Sequence, residues 1–68
     1  MAFWNRWISL RTEGGSRAEQ IDRLQAHLRA SGLKTKITDE GNSLKRIHVL
    51  QKNFDQAKEL MEAFDKEQ

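Results

Sequence analysis

Basic side chains alternate along two stretches of the chain in a spacing that could hold an anion. Side chains at positions i and i+2 of a strand lie on the same face, so Lys34 and Lys36 would share a face, as would Arg46 and His48. Near the N-terminus, the same alternation would place Trp7 and Arg11 on one face of a strand. The predicted open-face binding residues are Trp7, Arg11, Lys34, Lys36, Arg46 and His48.

These residues have two interpretations. Basic side chains around an exposed aromatic ring on a sheet are typical of a platform for single-stranded nucleic acid or another anion. Alternatively, lysine and arginine keep an uncovered sheet soluble and block pairing at its edge. Only Trp7 could stack on a base, and the aromatic pairs of an RNA-recognition motif are absent. The pattern favours the second interpretation and keeps nucleic-acid binding as an alternative.

The sequence contains no motif for catalysis or metal binding. The chain has no cysteine, which excludes disulfides and thiolate metal sites. His27 and His48 have no histidine partner one helical turn away, and no serine lies in a nucleophile motif. The Gly14-Gly15 turn lacks the spacing and the lysine of a P-loop. We expect no enzyme activity, cofactor or metal, and no small-molecule substrate.

An N-terminal group of aromatic residues is a candidate self-association surface. It consists of Phe3, Trp4 and Trp7, at the beginning of the first predicted strand. A membrane-surface anchor would need more positive charge than Arg6 supplies. Core packing or a dimer contact explains the group better, because the first strand is predicted to be a sheet edge and small domains commonly close such an edge by self-pairing.

The elements that would position these residues follow from hydrophobic periodicity. A capping box, Ser16 with Glu19, opens a helical stripe, and Gly32 ends it in the left-handed region. Period-2 alternation predicts strands, and the stretch 39–43 between the second and third strands has turn composition. The predicted ranges are a strand over about 4–12, a helix over about 16–31, strands over 33–38 and 44–51, and a helix over 54–66.

This order predicts a single α+β domain over residues 1–68 with a ferredoxin-like β-α-β-β-α fold. Each element has one apolar face, so the two helices must cover one side of a three-stranded sheet. A right-handed crossover makes the first two strands parallel, and the third lies between them, antiparallel to both. The covered face is expected to hold Ile8, Leu10, Leu33, Ile37, Ile47 and Val49, and the other face stays open.

Length and charge limit the function further. A chain of 68 residues buries a modest core and has no room for an ordinary enclosed substrate cavity. No apolar run is long enough for a membrane span or a secretory signal, so we expect a cytoplasmic protein. The net charge of +2 conceals a basic region over 33–52, at +3, and an acidic one over 54–68, at −3.

The core pattern resembles two small families. It comprises the helix from Ala18 to Leu28, the Ser31-Gly32-Leu33 step, the strand Ile47-His48-Val49-Leu50 and the helix around Ala57 and Leu60. The chain is similar to a small prokaryotic family of signal-transducing proteins of unknown function, related in shape to PII regulators. It resembles the SPOR domain more weakly, without that domain's Gly-Ser-Phe step or final strand. The second resemblance implies glycan binding on the open face.

These observations predict a small non-enzymatic binding or regulatory module. A protein partner or a homodimer, formed through the first strand and Phe3, Trp4 and Trp7, is the leading expectation. Nucleic-acid or other anion binding on the open face is the alternative, and SPOR-like glycan binding is the second alternative.

Overall fold

The computed structural model describes residues 6–67, and the three strands and two helices of the fold lie within that range. The elements follow the predicted β-α-β-β-α order. They are β1 (Trp7–Gly14), α1 (Glu19–Ala30), β2 (Thr35–Gly41), β3 (Leu44–Leu50) and α2 (Phe54–Lys66).

The sheet has the predicted topology. Its three strands lie in the order β1-β3-β2, and β3 is antiparallel to both neighbours. β1 and β2 therefore run parallel to each other at the two edges, and the helices pack on one side. The prediction of a ferredoxin-like α+β fold with two helices on one face is confirmed.

Both helices bury the apolar stripe that their spacing predicts. Ile21, Leu24 and Leu28 of α1 are fully buried, and α2 contributes Ala57 and Phe64. The sheet contributes Ile47 and Val49 of β3, Leu33 joins them from the connection before β2, and Leu10 and Ile37 are partly buried against this cluster. Full burial of one aliphatic side chain stabilises the fold by about 1.5–3 kcal/mol, so this cluster holds the helices on the sheet.

The first helix begins later than predicted. Residues Gly15–Arg17 form a short 3-10 turn, and α1 starts at Glu19 after Ala18. The capping-box prediction for Ser16 is wrong, because Ser16 lies inside the 3-10 turn. Gly15 adopts φ +59, and its carbonyl accepts a hydrogen bond from the Ala18 amide at 3.2 Å. The backbone of this turn thus satisfies an amide that a serine hydroxyl would otherwise bind.

The end of α1 is as predicted. Gly32 has φ +86, and its amide donates to the carbonyl of Arg29 at 2.9 Å. The Leu33 amide donates to the Leu28 carbonyl at 3.1 Å, which completes a Schellman motif. The next residue, Leu33, is buried in the core. Gly32 therefore ends the helix and turns the chain toward β2.

The hairpin turn is tighter than the predicted stretch 39–43. Only Asn42 and Ser43 separate β2 from β3, with φ values of 51 and 65. Two adjacent residues in the left-handed region are what a two-residue type I′ turn requires. The Asp39 carboxylate accepts a hydrogen bond from the Gly41 amide at 2.9 Å. β2 consequently extends beyond its predicted end at residue 38.

The remaining boundaries differ by a few residues. β1 runs two residues beyond its predicted end at 12, and the predicted start near residue 4 lies outside the described residues. β3 ends at Leu50 because Gln51–Asn53 form a 3-10 turn. α2 starts at Phe54 as predicted, although the Asn53 side chain makes no capping hydrogen bond within residues 6–67.

Thr35 gives a stability prediction for the core. Its side chain is buried, and its hydroxyl oxygen has no hydrogen-bond partner among residues 6–67. A buried hydroxyl without a partner is destabilising, and valine has nearly the same shape. We expect Thr35→Val to raise the free energy of unfolding by about 1 kcal/mol, measured by urea denaturation. Thr38→Val, which removes a hydroxyl that is hydrogen-bonded, is the matched control and should not stabilise. An unchanged or lower stability for Thr35→Val would contradict this reading.

Candidate functional site

The open face is the side of the sheet opposite the helices, and the strand register fixes which residues lie on it. Residues paired across antiparallel strands point to the same face. Buried Val49 pairs with Ile8 and with Thr35, which identifies the helix side. The alternate pairs form the open face. Its polar and aromatic members are Trp7, Ser9, Thr12, Lys36, Thr38, Arg46 and His48, and by the same register Leu50 and Leu44 lie at its two ends.

Two rungs of side chains cross the open face from strand to strand. The first rung joins Ser9, His48 and Lys36, and the second joins Thr12, Arg46 and Thr38. Same-face neighbours along a strand are about 7 Å apart, and adjacent strands are about 4.8 Å apart. The two rungs therefore form one continuous polar patch. Trp7, the first residue of β1, lies beside the first rung.

Trp7 and Lys36 form a cation–π pair on this face. The Lys36 ammonium nitrogen lies 5.0 Å from the centroid of the Trp7 ring, within the distance at which the ring attracts a cation. Trp7 is still 40% exposed. An aromatic surface and a positive charge are thus held together in a solvent-accessible position.

A hydrogen-bonded network connects the other side chains of the rungs. Arg46 Nε donates to Thr12 Oγ1 at 2.9 Å, and Arg46 Nη1 lies 3.4 Å from Glu40 Oε1. The Thr38 hydroxyl donates to the second Glu40 oxygen. It also lies 2.8 Å from His48 Nε2. A hydroxyl carries one proton, so His48 Nε2 must be the donor in this last bond.

His48 has a depressed pKa in this network. Partial burial lowers the pKa below its ordinary value of 6.5, and the charges of Lys36 and then Arg46 lower it further, opposed by Glu40. With Nε2 bonded to Thr38, the neutral ring has its proton on Nε2 and an acceptor at Nδ1. The folded state then binds fewer protons than the unfolded chain between the depressed pKa and 6.5. Stability therefore falls as the pH drops through that window.

Arg11 is not on the open face, and its predicted placement there is wrong. The register of β1 shifts between Ser9 and Arg11, so Arg11 pairs with buried Ile47 and points to the helix side. Its guanidinium binds Asp65 of α2 at 2.7 Å and Glu13 at 2.8 Å. These contacts, with the Asp65 hydrogen bond the largest, raise the pKa of Arg11. Arg11 thus joins β1 to α2 and contributes no charge to the open face.

The structure brings together most of the other predicted open-face residues. Trp7, Lys36, Arg46 and His48 lie on one patch, whereas exposed Lys34 precedes β2. Thr12, Thr38 and Glu40 belong to the site but were not among the predicted residues. The alternation of Lys36 with Thr38 could have identified Thr38. Thr12 reaches this face only through the register shift, which the sequence does not reveal.

The candidate self-association residues are only partly described. Phe3 and Trp4 lie outside the described residues, and Trp7 is the first residue of β1. Within residues 6–67, no cluster of histidine and acidic side chains has the makings of a metal site. His27, half-buried on α1, packs its ring 5.6 Å from that of Phe64 and therefore belongs to the edge of the core.

Comparisons with known proteins add nothing to this geometry. No family model matches the chain, and no curated protein or solved structure is significantly similar to it. The resemblances to the signal-transducing family and to the SPOR domain therefore stay predictions. Neither helix in the described part of the chain has the length and apolar character needed to cross a membrane.

The charge environment of His48 can be tested by NMR. We expect Lys36→Gln to raise the pKa of His48 toward 6.5, because one of the two cations that lower it is removed. The ring signals of His48 followed against pH give this pKa directly. Lys45→Gln removes the same charge from the helix side, where Lys45 binds Asp22, and should leave the midpoint nearly unchanged. Equal effects of the two substitutions would contradict the assigned geometry.

The placement of Arg11 can be tested by a double-mutant cycle. Arg11→Gln and Asp65→Asn should be coupled by about 0.5–1 kcal/mol in the free energy of unfolding, a modest value because Asp65 is half-exposed and water screens the pair. Urea denaturation of both single variants and the double variant gives this coupling. Arg17→Gln with Asp65→Asn is the control and should be additive, since Arg17 binds Glu13 instead. Additivity in the Arg11 cycle would place Arg11 elsewhere.

Proposed function

We propose that this protein is a small non-enzymatic binding module that self-associates through β1. The outer backbone edge of β1, called here the β1 edge, would pair with the β1 edge of a second copy. The single observation that carries this proposal is the difference between the two edge strands of the sheet. One edge is lined with exposed charges, and the other has none that project freely into solvent.

β2 has the composition of a protected edge. Exposed Asp39 and Glu40 lie in this strand, and exposed Lys34 immediately precedes it, whereas the Lys36 ammonium reaches across β3 to the Trp7 ring. Exposed charges along an edge strand oppose pairing with another chain, because a second strand would have to desolvate them. The β2 edge is therefore an unfavourable place for association.

β1 has charges only at Arg11 and Glu13, and both are withdrawn. Their side chains are 19% and 17% exposed, respectively, and bind each other at 2.8 Å. Arg11 also binds Asp65, and Glu13 also binds Arg17 at 3.3 Å. The register shift that turns these side chains toward the helices thus removes charge from the β1 edge. No other described strand pairs with that edge.

A second copy suits this edge because β1 can pair with itself antiparallel about a two-fold axis. The sheet would then continue through both molecules, and the unpaired amides and carbonyls of both edges would be satisfied together. Phe3 and Trp4 lie four and three residues before Trp7, the first residue of β1, so under this proposal they extend the contact beyond the strand together with Trp7.

The proposal is tested by placing a charge on the β1 edge. Ser9 is exposed and is the third residue of β1, with its side chain on the open face, so Ser9→Lys gives this edge strand an exposed charge of the kind that β2 already has. We expect the wild-type chain to dimerise reversibly in sedimentation equilibrium. We expect Ser9→Lys to weaken that dimer at least about tenfold, a loss of about 1.4 kcal/mol.

Ser31→Lys is the matched control. Ser31 is exposed at the end of α1, and its substitution by lysine adds the same positive charge away from β1. It should dimerise like the wild type. Circular dichroism of each variant reports whether the fold is retained. A wild-type chain that stays monomeric at high micromolar concentration, or a dimer that Ser9→Lys leaves intact, overturns the proposal.

A further inference from the structure

We propose that the open face binds single-stranded nucleic acid, with Trp7 as a stacking surface for one base and Lys36 and Arg46 as phosphate contacts. This site uses a face of the sheet and not the β1 edge. The proposal therefore goes beyond self-association, and it does not depend on whether the chain is a monomer or a dimer.

The distribution of charge favours a polyanion on this face. On the helix side, Arg11 and Lys45 are neutralised by ion pairs with Glu13, Asp65 and Asp22. On the open face, only Arg46 has an acidic partner within residues 6–67, namely Glu40 at 3.4 Å. The ammonium groups of Lys34 and Lys36 make no ion pair with a described residue. Arg29, Lys58 and Lys66 of the helices likewise make no ion pair with a described residue, so the excess of positive potential on the open face depends on the acidic side chains of the helices.

The acidic second helix strengthens this difference. α2 has a net charge of −2, from four acidic side chains against Lys58 and Lys66, and packs on the opposite side of the sheet. α1 is neutral overall, with Arg23 and Arg29 against Glu19 and Asp22, so the two helices together are acidic and a polyanion is favoured on the open face. A partner with mixed charges, such as an ordinary protein surface, would gain much less from this arrangement, which is why nucleic acid is the occupant we infer.

The Trp7–Lys36 pair provides both contacts that a nucleotide needs. A base can stack on the exposed Trp7 ring, a contact that contributes about 1–3 kcal/mol in proteins that bind single strands. Lys36 has a flexible four-carbon stem, so its ammonium can move from the ring to the adjacent phosphate. In the unbound state the cation covers the ring, and in the complex a base takes that position.

The second rung, which contains Arg46, would bind the next nucleotide of the nucleic acid. Arg46 is fixed by Thr12 and Glu40, so its guanidinium is held in place for a phosphate. The Nδ1 atom of neutral His48 and the Ser9 hydroxyl lie in the rung beside it and can bond to a base or a sugar. The described sheet is three strands wide, which suits a short single strand and not a duplex.

The experiment is an NMR titration of the full chain with an octathymidine strand at low salt. We expect shifts confined to the open-face amides and to the Trp7 indole signal, which a Trp4→Phe variant distinguishes from that of Trp4. The affinity should fall with salt with a logarithmic slope of about −0.7 for each phosphate contact, hence about −1.4 for two. A salt-independent affinity would overturn the proposal.

Two pairs of variants separate the specific site from general attraction. Lys36→Gln should weaken binding several-fold and reduce the salt slope by about 0.7, whereas Lys45→Gln, on the helix side, should change neither strongly. Trp7→Leu should weaken binding about five- to tenfold because the π surface is lost, and Trp7→Phe should retain most of it. Equal losses for Lys36→Gln and Lys45→Gln would overturn the site.

Other ligands complete the test. The same strand annealed to its complement should bind more weakly than the single strand, because its bases are already stacked. An uncharged peptidoglycan fragment should give no shifts on the open face. No open-face shift with octathymidine would overturn the proposal, and open-face shifts with the uncharged glycan would show that the face does not select a polyanion. Neither outcome depends on dimerisation, which sedimentation measures separately.

Discussion

The shift in register between Ser9 and Arg11 determines what each side of this small domain can do. A β-bulge adds one residue to one strand, and every later side chain in that strand changes face. Before the shift, Ile8 faces the helices. After it, Arg11 and Glu13 do, and Thr12 reaches the open face. The bulge thus gives one strand two different alternation patterns.

This change connects the core to the surfaces around it. With Arg11 on the helix side, its ion pair with Asp65 attaches β1 to the last turn of α2, where Phe64 already closes the core. The same displacement leaves the β1 edge without projecting charges and gives Arg46 a hydroxyl partner in Thr12. A single irregularity in the backbone therefore affects helix attachment, edge composition and the open-face network together. Bulges near functional surfaces commonly redirect side chains in this way.

The sequence predicts the features that depend on periodicity. The buried stripe of Ile21, Leu24 and Leu28 follows from helical spacing, and Gly32 follows from the need for positive φ at a helix end. The strand order follows from the elements and their apolar faces. These features are predictable because many residues contribute to each of them, so one irregular position does not change the result.

The features that the sequence did not predict each depend on two local backbone conformations that compete at one position. Ser16 has the composition of a helix cap, yet Gly15 allows a 3-10 turn whose backbone bonds the Ala18 amide instead. Arg11 has the parity of an open-face residue, yet an extra residue in β1 reverses it. The pattern around Leu10 contains no glycine or proline that would mark a bulge. In both cases the backbone geometry decides the outcome, and the pattern of residue types around Ser16 and Arg11 favours the other one.

The uncovered face of the sheet must be stable in water even without a ligand, and its side chains are arranged for that. Lys36 covers part of the Trp7 ring, and the Thr12–Arg46–Glu40–Thr38–His48 network satisfies the polar groups between the strands. Solubility alone would require only charge, which a lysine at any position supplies. A cation held over an exposed indole, beside an arginine fixed on both sides, adds an ordered geometry to that charge. Because this order is already present in the unbound chain, a ligand that replaces Lys36 on the ring would meet groups that need little rearrangement, which reduces the entropic cost of binding.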